Sequence, residues 1–269
     1  MVPDMTITVK LPYPGLDDRM VRIFVPAHED GETFPVVYMT DGQTAFERLP
    51  HELGCWSTHA AVQEERKNYG RGAIIVGIHN DLGPAQRASE LTPTTLGKLQ
   101  IPEEILKMSP PTGEVFDSFV VNTVMPFVES RFPVKKGREN TAFCGSSSGG
   151  VASLHIVMEH QDLFSMAGVF SPALMIFDPI EATNWFLSKM GDDLPFIYIY
   201  SGAFGDMESA ICGCAQYLGN TLDNHYPKEL HKTLIIPQYP HHESAWSQVF
   251  KDMLHIFLDR CEGSAPAAG

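Results

Sequence analysis

The sequence predicts an α/β fold with a mostly parallel central sheet and helices on both of its faces. Three observations carry this. Short apolar runs rich in β-formers alternate with helical periodicities along the chain. The run Ala73-Ile-Ile-Val-Gly-Ile78 is apolar throughout, as in a strand buried on both faces. A glycine-rich turn, Gly145-Ser-Ser-Ser-Gly149, stands between one such run and a helical stretch.

The elements follow in order. Thr6–Leu11 alternates as a strand, and Val21–Val25 is a second strand stopped by Pro26. Pro35–Thr40 is a third, ending at the turn signal Asp41-Gly42. Ala73–Ile78 is a fourth. Residues 80–113 carry five prolines and little periodicity, although Pro102–Met108 has helical character. A stretch this long reads as a lid or substrate-binding insertion, or as a surface excursion. Val115–Phe132 is helical, with Phe116, Phe119, Val120, Val124, Phe127 and Val128 on one face. Then come strand Thr141–Cys144, helix Gly149–Glu159, strand Ser165–Phe170 and helix Pro179–Lys189. Strand Pro195–Tyr200, helix Glu208–Asn224, strand Thr233–Ile236 and helix Ser244–Arg260 complete the order. Residues 263–269 read as a loose tail. With no repeat or linker, residues 1–269 are expected to form a single domain.

Composition narrows the function classes. Acids outnumber bases by 33 to 19, giving a formal charge of −14, so a polyanion is an unfavourable partner and no nucleic acid is expected. No apolar run reaches membrane-spanning length and no basic amphipathic segment suggests a membrane surface. The N-terminus has no basic-then-apolar leader pattern. The five cysteines, odd in number and irregular in spacing, suggest reduced thiols and a cytoplasmic location. Cys212-Gly-Cys214 is too closely spaced for a zinc knuckle, and Trp246 replaces the second histidine in His242-Glu-Ser-Ala-Trp246, so neither metal nor organic cofactor is expected. A homo-oligomer is left open.

Gly145-Ser146-Ser147-Ser148-Gly149 fits G-x-S-x-G between a strand and a helix. The chemistry requires small flanking residues because the strand turns sharply into the helix. The central hydroxyl, Ser147, then projects at a helix N-terminus whose dipole favours a developing anion. Without a Lys-Ser or Lys-Thr after the glycines, a phosphate-binding loop is excluded. A serine nucleophile needs a base oriented by an acid, in the chain order Ser, acid, His. His241 and His242 stand in a loop between the last strand and the last helix, where such a base would come from. After the penultimate strand, Asp206 and Glu208 are candidate acids. Asp206 is preferred, being nearer the strand end, and Glu208 is the alternative. The backbone N–H groups of Ser148 and Gln43 are the expected oxyanion donors. Trp56 and Phe204 are candidate pocket walls.

Taken together, the chain resembles the esterase family of α/β-hydrolases that includes enterochelin esterases, feruloyl and acetylxylan esterases, S-formylglutathione hydrolases and mycolyltransferases. The resemblance spans about Val21 to Leu258. It rests on Val36–Gln43, Ile75–Asn80 followed by Arg87, Glu90 and Pro93, Phe143–Gly150, Val169-Phe-Ser-Pro172 and His241-His-Glu-Ser-Ala-Trp246. Relatives often place a histidine five residues before a tryptophan, which implies His241 as base, with His242 and Trp246 at the pocket. The resemblance implies a serine carboxylesterase with Ser147, His241 and Asp206 as triad and no cofactor. It further implies a small-molecule ester substrate of acyl-sugar, feruloyl or siderophore type. An acyltransferase with the same triad and a non-catalytic binding protein on this fold are the rival readings.

Overall fold

The computed structural model describes residues 1–48, 54–80 and 83–263. Of the expected tail at 263–269, residues 264–269 lie outside them, as do residues 81 and 82 of the expected insertion, while Gly263 ends the last helix. Eight strands form one sheet: β1 (Met5–Leu11), β2 (Arg19–Val25), β3 (Val36–Met39), β4 (Ile74–Ile78), β5 (Thr141–Ser146), β6 (Met166–Phe170), β7 (Phe196–Ser201) and β8 (His231–Ile235). Their order is β1-β2-β4-β3-β5-β6-β7-β8. β1, β2 and β4 pair antiparallel, and every pairing from β4 through β3 to β8 is parallel. The parallel part places the C-terminal ends of β3, β5, β7 and β8 along one edge, where ligands bind in open α/β sheets.

Strand alternation divides the core into two layers. Val36 and Tyr38 enter one, with Phe143 and Ile197, and Val37 and Met39 enter the other, with Ala142 and Tyr198. The first layer is covered by α4 (Gly113–Phe119), α5 (Met125–Arg131), α6 (Ser148–Glu159), α7 (Pro179–Ser188) and α8 (Asp206–His225). The second is covered by α1 (Thr58–Tyr69) and α9 (Glu243–Gly263). The buried stripe Val249, Phe250, Met253, Leu254 and Phe257 anchors α9. Each such side chain contributes about 1.5–3 kcal/mol.

Three features depart from the sequence reading, the first being helix α1, which was not expected. The helix expected over 115–132 is divided by a π-helical turn at Val120–Val124, where Met125 N–H donates to Val120 O. Pro126 follows and brings no N–H to an α-type ladder, so the wider turn absorbs the mismatch. The 80–113 stretch holds two short helices, α2 (Pro84–Glu90) and α3 (Glu103–Met108), instead of one.

Candidate active site

Ser147 sits between β5 and α6 with φ 59° and ψ −123°, a strained conformation for a residue with a side chain. Its surroundings fix it there. Ser147 N–H donates to Phe170 O at 3.0 Å, while its carbonyl accepts from Gly150, Val151 and Ala173. A Cβ on Gly145 or Gly149 would run into Thr40 Oγ1, so only glycine allows this close crossing of helix and strand. The turn therefore holds Ser147 between the end of β5 and the first residue of α6.

The loop after β8 carries His241. Its Nδ1 lies 2.6 Å from Glu208 Oε2, and that carboxylate is fully buried. The structure reverses the preference between the two acids. α8 begins at Asp206, so Asp206 and Glu208 point about 200° apart around the helix axis. Asp206 faces solvent, and Glu208 turns inward beneath the end of β7. Glu208 Oε1 accepts from Gly202 N at 2.6 Å and from Ser171 Oγ at 2.7 Å, with Ser201 Oγ at 3.1 Å. Burial works against its charge, but the hydrogen bonds from His241, Ser171 and Gly202 prevail and hold its carboxyl below the usual glutamate range. An ionised carboxylate only accepts, so His241 Nδ1 carries the proton and Nε2 is left as the basic nitrogen.

Ser171 is a site residue to which sequence reasoning gave no role, although Val169-Phe-Ser-Pro172 contributed to the resemblance. It has φ 41° and accepts from Trp246 Nε1 at 2.9 Å while donating to Glu208. Trp246 meets the His241 ring edge-on at 5.0 Å and stacks on Trp56 at 5.5 Å. One indole thus braces both the imidazole and the hydroxyl that serves its carboxylate.

Ser147, His241, Gln43, Trp56 and Trp246 line one cavity of about 260 Å³, together with Asp41, Arg87 and Glu243. Ser148 opens α6 and Gln43 lies in the 3-10 turn Gly42–Thr44, so neither N–H has an acceptor within its own helix. Two expected pocket residues stand elsewhere. Phe204 is 66% exposed and forms an isolated bridge with Pro240 outside the cavity lining. His242 caps α9: its Nδ1 accepts from Ser244 N and its carbonyl accepts from Ala245 and Trp246. That capping occupies the ring, which accounts for its position off the lining.

A buried polar network stands behind the Gln43 turn. Asp41, at φ 57°, receives both Nε and Nη2 of Arg87 at 2.5 and 2.7 Å, and Arg87 also donates to Ser146 O. Asn80 N donates to Gln43 Oε1, and Asn80 Oδ1 accepts from Asp41 N. Asn80 Nδ2 and both terminal nitrogens of Arg19 reach Glu90. Arg87 and Glu90 come from α2, so the 80–113 stretch is tied directly to the turn that presents Gln43.

A sequence profile of the family described as "Putative esterase" matches residues 16–192. The chain belongs to this family. A siderophore triacetylfusarinine C esterase from Aspergillus fumigatus is 29% identical over 170 residues, 58% of this chain. The chain spans about half the length of that relative, 51%. The siderophore hydrolase EstA from Aspergillus nidulans superposes with a TM-score of 0.70 at 18% identity, over 97% of this chain and 95% of that one. A CE1 ferulic acid esterase from Anaeromyces mucronatus gives 0.65 at 22% identity, over 93% and 88%. The likeness to these solved structures bears out the α/β-hydrolase fold. Among the described residues, no helix is long and apolar enough to cross a membrane.

Proposed function

We propose that this chain is a serine carboxylic ester hydrolase with Ser147 as nucleophile, His241 as base and Glu208 as the orienting acid. One observation carries the reading. The strained serine shares a cavity with a histidine whose far nitrogen is engaged by a fully buried carboxylate. In the first half-reaction Ser147 Oγ bonds to the ester carbonyl carbon as His241 Nε2 takes its proton. The carbonyl electron pair moves onto oxygen, and the Ser148 and Gln43 N–H groups receive that oxyanion. Collapse breaks the bond to the alkoxy group, which leaves as an alcohol with the proton from His241. Water then attacks the acyl-enzyme, His241 takes its proton, and Ser147 recovers it when the acid departs. Glu208 stabilises the imidazolium in both halves.

For the substrate class, carboxylic esters of siderophore or feruloyl type are supported by the names of the relatives, and Trp56 and Trp246 stand in the lining of the Ser147 cavity. Five unpaired thiols support residence in a reducing compartment. The test is hydrolysis of p-nitrophenyl acetate, butyrate and octanoate alongside methyl ferulate, with Ser147→Ala as control. Turnover that vanishes in Ser147→Ala supports the reading. Undiminished turnover in that variant, or silence of the folded wild type on every ester, overturns it.

A further inference from the structure

A second opening lies over the sheet face that α6, α7 and α8 cover. It measures about 320 Å³, and among the described residues it shares no lining residue with the Ser147 cavity. Leu154, Phe177, Trp185 and Phe186 line it, with Met175 and Tyr217 toward solvent. The described lining contains no acidic, basic or histidine side chain. Its volume falls at the lower end of the roughly 300–1,000 Å³ range of ligand pockets.

Two features distinguish this opening from a simple packing fault. First, α8 presents small residues to it, Ala210, Gly213 and Cys214. Gly213 stands in the interior of a 20-residue helix, where glycine lowers helix stability. Packing does not require it, because a Cβ at Gly213 would meet no atom within 4 Å. A larger residue would strengthen the helix and fill the space, yet the space is open. Second, the hydroxyls in the wall are already engaged. Thr183 Oγ1 donates to Pro179 O at 2.7 Å and lies 3.1 Å from Tyr217 OH, and Thr221 Oγ1 donates to Tyr217 O. An apolar space with few free polar groups holds water poorly. Four aromatic side chains, Phe177, Trp185, Phe186 and Tyr217, offer ring faces and edges instead.

We propose that this opening binds a small uncharged aromatic molecule, at a site separate from the Ser147 cavity. Among the described residues the wall holds no cation, which disfavours an aromatic acid, as does the chain's charge of −14. Ring contacts supply the affinity.

The test titrates N-phenyl-1-naphthylamine, a neutral aromatic fluorophore, into the full chain. Wild type and Ser147→Ala should both show a saturable fluorescence rise at one probe per chain. Gly213→Leu should weaken binding by about tenfold or more, the effect of crowding a fitted apolar site, while hydrolysis of p-nitrophenyl acetate is unchanged. Cys214 lines the opening and gives a second readout that needs no variant. Probe at ten times its Kd should slow N-ethylmaleimide labelling of Cys214, followed by peptide mapping, about tenfold. Labelling of Cys55 should not change. No saturable binding, or binding that leaves Cys214 unprotected and is indifferent to Gly213→Leu, overturns the proposal. A concentration-dependent dimer that closes the opening and excludes the probe also overturns it, making a second copy the occupant. The binding and labelling readouts do not depend on whether Ser147 hydrolyses esters.

Discussion

Replacing Glu208 by Gln keeps the side chain's size and removes its charge. The amide oxygen can still accept from Gly202 N and Ser171 Oγ at the Oε1 position. The amide nitrogen then faces His241 Nδ1, where Glu208 Oε2 stands at 2.6 Å. An N–H donor there forces Nδ1 to accept, moving the ring proton to Nε2 and leaving no base toward Ser147. The comparable change in a Ser-His-Asp triad lowers kcat by roughly 10⁴, equal to about 5.4 kcal/mol of barrier. We expect kcat/KM for p-nitrophenyl acetate to fall by about 10³–10⁴, with KM little changed. Asp206→Asn alters an exposed side chain and should stay within about twofold. The assay is initial-rate kinetics on both variants at neutral pH, with circular dichroism confirming the fold. Glu208→Gln retaining more than a tenth of wild-type activity, or Asp206→Asn proving the more damaging, would refute the reasoning.

Arg87→Met leaves the buried Asp41 carboxylate without its paired donors, beside the turn that presents Gln43; kcat should drop by about 10–100-fold, and recovery of the loss by Arg87→Lys would count against a role for the two-pronged contact. Glu90→Leu strands the Arg19 guanidinium, only 3% exposed, and should cost about 3–5 kcal/mol in urea unfolding; a change below 1 kcal/mol would show that the network carries little stability. Because the folded state holds the Glu208 carboxyl below its unfolded value, its stabilising contribution is complete above the ordinary carboxylate range and is lost as pH falls through the folded value. The gap in Tm between wild type and Glu208→Gln should therefore be steady at neutral pH and close on acidification, and a gap that widens instead would reverse the sign.

Local chemistry was the legible part of the sequence. A strand, a tight glycine spacing and a helix follow one another around Ser147, so the elbow could be read from about ten residues. The continuous apolar runs of β3, β4 and β7 declared buried strands in the same way. The acid was different. Its identity depends on the residue at which α8 begins, and a shift of two positions reverses which carboxylate faces inward. α1 escaped because it buries little apolar surface: Thr58, Ala61, Val62 and Glu65 are its buried positions. Ser171, Asn80 and Arg87 acquire their meaning from contacts across 37 to 46 positions of sequence, such as Ser171 with Glu208 and Arg87 with Asp41. No local pattern encodes such contacts.

In the proposed mechanism Ser147 is the nucleophile and the buried Glu208 acts through His241. Intact-mass analysis after incubation with a fluorophosphonate, followed by peptide mapping, tests it most directly. A single adduct on Ser147 is expected, formed far more slowly in Glu208→Gln and His241→Ala than in wild type. An unlabelled folded protein, an adduct on Ser146 or Ser148, or equal labelling rates in all three proteins would contradict it.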